Sequence, residues 1–376
     1  MNKLLKQFRK DLHQIPEVAF EELETSKYIR KQLEIHDISY EIVANTGTLV
    51  FFSGIETESI AFRADIDALP IVEETGISYA STNGNMHACG HDGHTSILLA
   101  FSLWLKEQIK NGLILQKSIL LIFQPAEEGK GGARYIANDK KFLDKQVSKI
   151  FGLHLYSDIE QGHISTKPGP IMAQTINLDI TIHGKGAHGA QPQNGIDTIL
   201  ITAKLIEAYQ SIISRNIPAS ETVVLTIGSI HGGVLRNIIP KSVDLLGTIR
   251  LFNKELIPFI KTRIDEINKG FEISYGIKIN LNFTPIYSPV FNNKNLYETF
   301  REITKNQPFI EAIPQMAAED FSFYLEKVPG LFFLLGTKNI EKNFIYPLHN
   351  PKFNFDEDVL KVGLNIFQDI FKYYNK

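Results

Sequence analysis

Short segments that are apolar on both faces recur along this chain, and they restrict its fold more than any other feature of the sequence. Residues 118–123 read Ser-Ile-Leu-Leu-Ile-Phe, and residues 59–63, 148–155 and 331–335 are runs of the same kind. A strand without a polar face must be covered on both sides, which a parallel sheet flanked by helices achieves. Helical patterns fall between these runs. Residues 24–33 have helical character, and residues 95–105 are almost wholly apolar, which predicts a buried helix capped by Asp92 or Thr95. Residues 356–373 open with acids and repeat Val359, Leu360, Leu364, Phe367, Ile370 and Phe371 at helical spacing, which predicts a capped amphipathic helix.

The middle of the chain has a different period. Residues 177–183 alternate apolar and polar, as an antiparallel strand does, and residues 196–213 are helical. Residues 222–230 and 242–251 read as strands, 255–274 as a helix and 278–286 as a last alternating strand. The order β-α-β-β-α-β is ferredoxin-like. A chain of 376 residues has room for two domains. The expected fold class is therefore α/β with a mostly parallel sheet in a catalytic domain of residues 1–176 and 288–376, interrupted by an inserted ferredoxin-like α+β domain at residues 177–287.

The formal net charge of −3 supplies no basic field to attract nucleic acid or anionic lipid. No apolar run is long enough to span a bilayer. Residues 1–10 are basic but lack the apolar core and small-residue cleavage site of a secretory signal. Leu4, Leu5, Phe8, Leu12 and Ile15 suit one face of an amphipathic helix instead. Neither nucleic acid nor membrane is an expected partner, and the cytoplasm is the expected location. The single cysteine, Cys89, rules out an internal disulfide.

Polar clusters follow the apolar strands. Arg63-Ala64-Asp65-Ile66-Asp67 follows the first, Gln124-Pro125-Ala126-Glu127-Glu128-Gly129 the second, and His154 closes the third at Ile150-Phe151-Gly152-Leu153. In open α/β sheets, sites form beyond the carboxyl ends of strands, so three strands deliver acid–base or metal-compatible groups to one edge. The segment Met86-His87-Ala88-Cys89-Gly90-His91-Asp92-Gly93-His94 adds one thiol, three imidazoles and a carboxylate. Thiolate and imidazole suit zinc and its transition-metal neighbours. An extended turn with flanking glycines would point Cys89 and His91 inward together. The side chains of Glu127 and Glu128 diverge, so one carboxylate can bind metal while the other faces an attacking water.

On these motifs the chain resembles a family of metallo-amidohydrolases that includes bacterial aminoacylases, hippurate hydrolases, plant auxin-conjugate hydrolases and N-acetyldiaminopimelate deacetylases. The likeness runs nearly end to end. It takes in Asp11-Leu12-His13-Gln14-Ile15-Pro16-Glu17, Gly152-Leu153-His154, Gly186-Ala187-His188, Asn237-Ile238-Ile239-Pro240, Ala318-Glu319-Asp320-Phe321 and Leu348-His349-Asn350. It implies a zinc-peptidase-like catalytic domain with a ferredoxin-like insert that commonly mediates dimerisation, hence a homodimer. It implies two divalent metal ions, with Cys89, His91, Glu128, His154 and His349 at ligand positions. Glu127 falls at the general-base position, and Asp67 at that of an acid orienting a ligand. His188 matches an insert-domain histidine that reaches the substrate carbonyl, and Asn237 and Arg250 match substrate contacts, Arg250 toward a carboxylate. Glu319 and Asp320 match a motif without an assigned role.

Where many di-zinc relatives carry His-x-Asp, this chain carries Asp65-Ile66-Asp67, and the resemblance to the auxin-conjugate and hippurate branch implies that Cys89 takes the vacant ligand position. The resemblance implies zinc, manganese, cobalt or nickel as the metal. The expected reaction is hydrolysis of a small N-acyl-amino acid of acetyl or benzoyl type, the alternative being N-acetyldiaminopimelate in lysine biosynthesis. Two other readings are a Cys89 nucleophile paired with a histidine, which leaves the glutamate pair unexplained, and a silent binding protein, which the intact Glu127 opposes.

Overall fold

The computed structural model of the chain describes residues 1–376. They gather into two compact units. The first comprises Met1–Ile171, Phe291–Ile313 and Asp320–Lys376, and the second comprises Met172–Val290 and Pro314–Glu319.

The first unit is built on an eight-stranded sheet. Its spatial order is Glu41–Val43, Gly47–Phe52, Lys117–Gln124, Glu56–Asp65, Val147–Glu160, Gly330–Lys338, Ile164–Thr166 and Phe309–Glu311. The middle four strands are mutually parallel, and they contain the four apolar runs. The strand on each side of them joins antiparallel, Gly47–Phe52 to Lys117–Gln124 and Ile164–Thr166 to Gly330–Lys338; Glu41–Val43 then adds antiparallel at one edge and Phe309–Glu311 parallel at the other. The helices Asn2–His13, His91–Lys110 and Val359–Tyr374 pack against one another and close over the sheet. Phe62, fully buried, anchors this layer. Its ring meets Phe101 at 4.9 Å, Phe367 at 5.1 Å and Phe151 at 5.8 Å. Burying a side chain of this size is worth about 1.5–3 kcal/mol. No helix is long and apolar enough to cross a membrane.

Local starts differ from the sequence pattern. The buried helix begins at His91, ahead of both expected caps, and Gly90 takes the N-cap position in a left-handed conformation with φ of 84°. Asp92 does not cap it; its Oδ1 accepts the N–H of Gly93. Thr95 also lies inside the helix and donates to the carbonyl of Asp65. Entry into the helix takes residue 90 through positive φ, which a residue without Cβ adopts most cheaply. The last helix likewise starts at Val359 without a side-chain cap from Asp358, while Asp356 accepts the N–H of Asp358 instead. In the first helix Leu5, Phe8 and Leu12 are buried, but Leu4 falls off the stripe and stays exposed.

The second unit is a four-stranded antiparallel sheet in the order Val223–Gly232, Ser242–Leu251, Gln174–His183 and Lys278–Tyr287. Ile176, Leu178, Ile180 and Ile182 alternate into its core, while Asn177 and Asp179 face out. The helices Thr198–Ser211 and Ile257–Tyr275 cover the apolar face with Leu205, Tyr209, Ile260 and Ile264. Asp197 caps the first of them by accepting the N–H of Leu200.

Candidate active site

The chemistry of the first unit collects where the parallel strands end. Strand Glu56–Asp65 delivers Asp65 and, just beyond it, Asp67. Asp65 is fully buried and accepts from Arg63 Nη1 at 2.8 Å and from His94 Nδ1 at 2.6 Å. Asp67 works through both its main chain and its side chain. Its carbonyl accepts from His91 Nδ1 at 2.9 Å, and its Oδ2 accepts the N–H of Glu128 at 2.9 Å. The first bond assigns the Nδ1-protonated tautomer to His91 and turns Nε2 inward.

Two further imidazoles are set in a similar way. His154 donates from Nδ1 to the carbonyl of Leu155 at 2.6 Å, which leaves its Nε2 3.5 Å from Cys89 Sγ. It lies within the strand Val147–Glu160 rather than closing it, because that strand runs on past the apolar segment. His349 is held by its N–H to the carbonyl of Ala88 at 2.8 Å. Its Nε2 lies 3.3 Å from Cys89 Sγ and 3.3 Å from Glu128 Oε1. Cys89 and His91 converge through the tight turn at Gly90 and the first helical residue, not through an extended segment.

The potential ligand atoms form overlapping sets. Those of Cys89, Glu128 and His349 lie within 4.8 Å of one another, and so do those of His91, Glu127 and Glu128. Glu128 belongs to both. A further set joins Asp65, His91, His94 and His154, but His94 is already used on both sides. Its Nδ1 serves Asp65, and its Nε2 accepts the N–H of Leu155 at 2.8 Å. The structure thus brings together Cys89, His91, Glu127, Glu128, His154 and His349, with Asp67 behind them.

The electrostatics fit a cation. His91 Nε2 is buried without a hydrogen bond, a position a native structure rarely leaves unexplained. Burial, then Glu128, Glu127 and Asp65, pushes the Cys89 thiol well up. Burial opposes protonation of His91, yet Asp65, Asp67 and Glu128 raise it to about 10. The acids thus keep protons on groups that a divalent cation would strip and ligate. Burial and the nearby His94 hold His154 well below its ordinary value, in the neutral form a ligand needs.

Several supporting residues carry no periodic signal in sequence. Arg63 is buried and bonds Gln124 Oε1, Asp65 and Asp320 at 2.8, 2.8 and 2.9 Å. Asp320 also accepts from Gln124 Nε2 and from the N–H of Ala133, each at 2.9 Å. Burial lifts Asp320 to about 6 against the pull of Arg63. Arg9 and His13 converge on Asp92 at 3.3 and 2.8 Å. His13 falls in a motif of the family resemblance, but only the fold reveals its partner.

The remaining predicted residues lie in the second unit. His188 sits on the two-residue strand Ala187–His188, paired with Ile238–Ile239. Asn237 is beside it, its carbonyl accepting the N–H of Gly189 at 2.8 Å. Arg250 lies on strand Ser242–Leu251 opposite Thr175 and donates to Thr175 Oγ1. Glu319 also belongs to this unit.

Residues 61–373 match the family model described as peptidase family M20/M25/M40. The chain is 37% identical to an N-acetyldiaminopimelate deacetylase of Leuconostoc mesenteroides, over 98% of this chain and 97% of that protein. It is 38% identical to the N-acetyl-L-cysteine deacetylase of Bacillus subtilis, over 96% and 85%. Among solved structures it is similar to the Bacillus subtilis YxeP protein, described as a dinuclear metal binding peptidase, with a TM-score of 0.83, 32% identity and coverage of 100% and 98%.

Proposed function

This chain belongs to the peptidase family M20/M25/M40 and is an amide hydrolase of that family, and we propose that it cleaves an N-acylated amino acid with Glu127 as the general base. The observation that carries the reading is the placement of Glu127. It is buried beside Glu128 and His91 yet is not needed to complete the Cys89, Glu128 and His349 set. Two divalent cations are proposed, held by Cys89, His91, Glu128, His154 and His349. Zinc, manganese, cobalt and nickel all accept such donors, and the thiolate and imidazoles favour zinc. When bound, the cations polarise the scissile carbonyl and make water more acidic.

The side chains divide the remaining work. Glu127 takes the proton of the attacking water and returns it to the leaving nitrogen. Asp67 fixes the His91 tautomer and the Glu128 amide. His188 is proposed to donate to the carbonyl oxygen as charge develops there. Asn237 and Arg250 are proposed to hold the substrate, Arg250 by pairing with its carboxylate. The inserted unit is proposed to double as a lid and as the contact of a homodimer. Val234, Leu235, Ile238 and Leu246 are exposed on it in support, and light scattering tests the mass. A thiol among the ligands suits the reducing cytoplasm.

The deacetylase names of the relatives favour an acetyl group. N-acetyldiaminopimelate is the specific alternative, and its second carboxylate would require an additional cationic contact. Rates on N-acetyldiaminopimelate, N-acetylcysteine and N-benzoylglycine, measured with each of the four metals, separate the readings. Glu127→Ala is expected to keep its metal content and lose turnover by about 10²–10⁴-fold. Undiminished turnover in that variant, or in the chelated protein, would overturn the proposal.

A further inference from the structure

We infer that Glu22, a residue outside the metal cluster, positions the catalytic turn by catching the main-chain amide of Ala126; the inference rests on the reading of Glu127 as the base. Glu22 precedes the helix Leu23–Ile35 and is completely buried. Its Oε1 accepts the N–H of Ala126 at 2.8 Å and that of Phe20 at 2.9 Å. Its Oε2 accepts from Thr46 Oγ1 at 2.6 Å. Ala126 is itself buried and adopts φ of 57°, a conformation that alanine enters only when its surroundings impose it. Its carbonyl is fixed too, accepting the N–H of Gly132 at 2.9 Å.

With both sides of Ala126 held, the direction in which the chain leaves toward Glu127 is set. One residue further on, Asp67 holds the N–H of Glu128. The turn that carries both glutamates is therefore gripped by a carboxylate at each end, one of them 104 residues away in sequence. Burial raises the Glu22 pKa, so an apolar residue would sit there at lower cost if packing were the only need. Glu22 touches none of the reacting groups and acts through the backbone, as a positioning residue.

Two substitutions separate reach from charge. Glu22→Gln keeps an acceptor oxygen for Ala126 and offers its N–H to Thr46. Glu22→Asp keeps the charge but is one methylene too short to hold the same amide. The Gln variant is expected to stay within about threefold of wild-type kcat, and the Asp variant to lose about ten- to a hundredfold with KM and metal content unchanged. In the metal-free protein, hydrogen exchange of the Ala126 amide should speed up in the Asp variant and not in the Gln variant. Wild-type kcat in Glu22→Asp, equal losses in both variants, or a loss that tracks missing metal would overturn the inference. Glu127→Ala in the same assay tests the base assignment separately. Turnover retained there would reject that assignment, while the exchange order of the Glu22 pair still reports on the turn.

Discussion

Gly132 opens the short helix Gly132–Ala137, and a Cβ built on it would lie 1.8 Å from the carbonyl oxygen of Pro125. Real Cβ contacts essentially never fall below 3.0 Å, so Gly132→Ala must move something by more than an ångström. The helix resists. Ala133, Ile136 and Ala137 are fully buried, and the N–H of Ala133 is held by Asp320. The clash therefore falls on the Pro125–Ala126 peptide, where any shift works against the Glu22 bond to the Ala126 N–H and is passed directly to Glu127 and Glu128. A misplacement of that size costs on the order of 10²-fold in rate, and overpacking costs about 1–3 kcal/mol of stability. Helix propensity argues the opposite, since alanine is favoured over glycine in a helix by about 1 kcal/mol. Steady-state kinetics at saturating metal, calorimetric metal titration and denaturant unfolding together decide. A folded Gly132→Ala with wild-type kcat and metal affinity would refute the reasoning, and a raised unfolding midpoint would show that propensity prevails.

Two further outcomes are expected. His94 spends both ring nitrogens on Asp65 and Leu155. His94→Gln should therefore keep two cations while weakening their binding about ten- to a hundredfold in calorimetric titration, whereas His154→Gln should lower the stoichiometry. Burial works against ionisation of Glu73, but hydrogen bonds from His13 and Thr75 bring its pKa from 4.5 down to about 2. A depressed carboxylate contributes stability that is present above its unfolded value and lost as pH falls through the folded one. Glu73→Gln should accordingly show a shallower loss of stability between pH 4.5 and 2 than wild type, read from denaturant midpoints.

Much of the architecture was legible in sequence because burial on two faces leaves an unmistakable trace. The Lys117–Gln124 strand has no polar position between Ser118 and Gln124 that would allow it to sit at an exposed edge. The alternation of Ile176, Leu178, Ile180 and Ile182 likewise admits one buried face. The candidate donors were legible as residue types, since thiol, imidazole and carboxylate side chains cluster beside strand ends. What escaped were the buried ion pairs behind the site. Arg63 and Asp320 are 257 residues apart, and each alone looks like a solvated loop residue. Turn geometry escaped as well. The sharp start at Gly90 is a backbone event, and hydrophobic period carries no record of it. The extension of the Val147–Glu160 strand beyond His154 follows from pairing with Gly330–Lys338, a partner that local pattern cannot name.

The position of His349 along the chain has a consequence for the order in which this protein matures. It stands 260 residues after the cysteine it faces, and the whole second unit is made between them. A ribosome therefore releases Cys89, His91, Glu128 and His154 long before His349, the last of the proposed donors. Until the last segment docks its histidine against the carbonyl of Ala88, the thiol is missing one of its closest neighbours. If the proposed ligands hold metal, full occupancy is expected only after the C-terminal segment has arrived. A chain truncated before residue 349 keeps four of the five proposed donors, Cys89, His91, Glu128 and His154, and is expected to bind metal more weakly than the full chain.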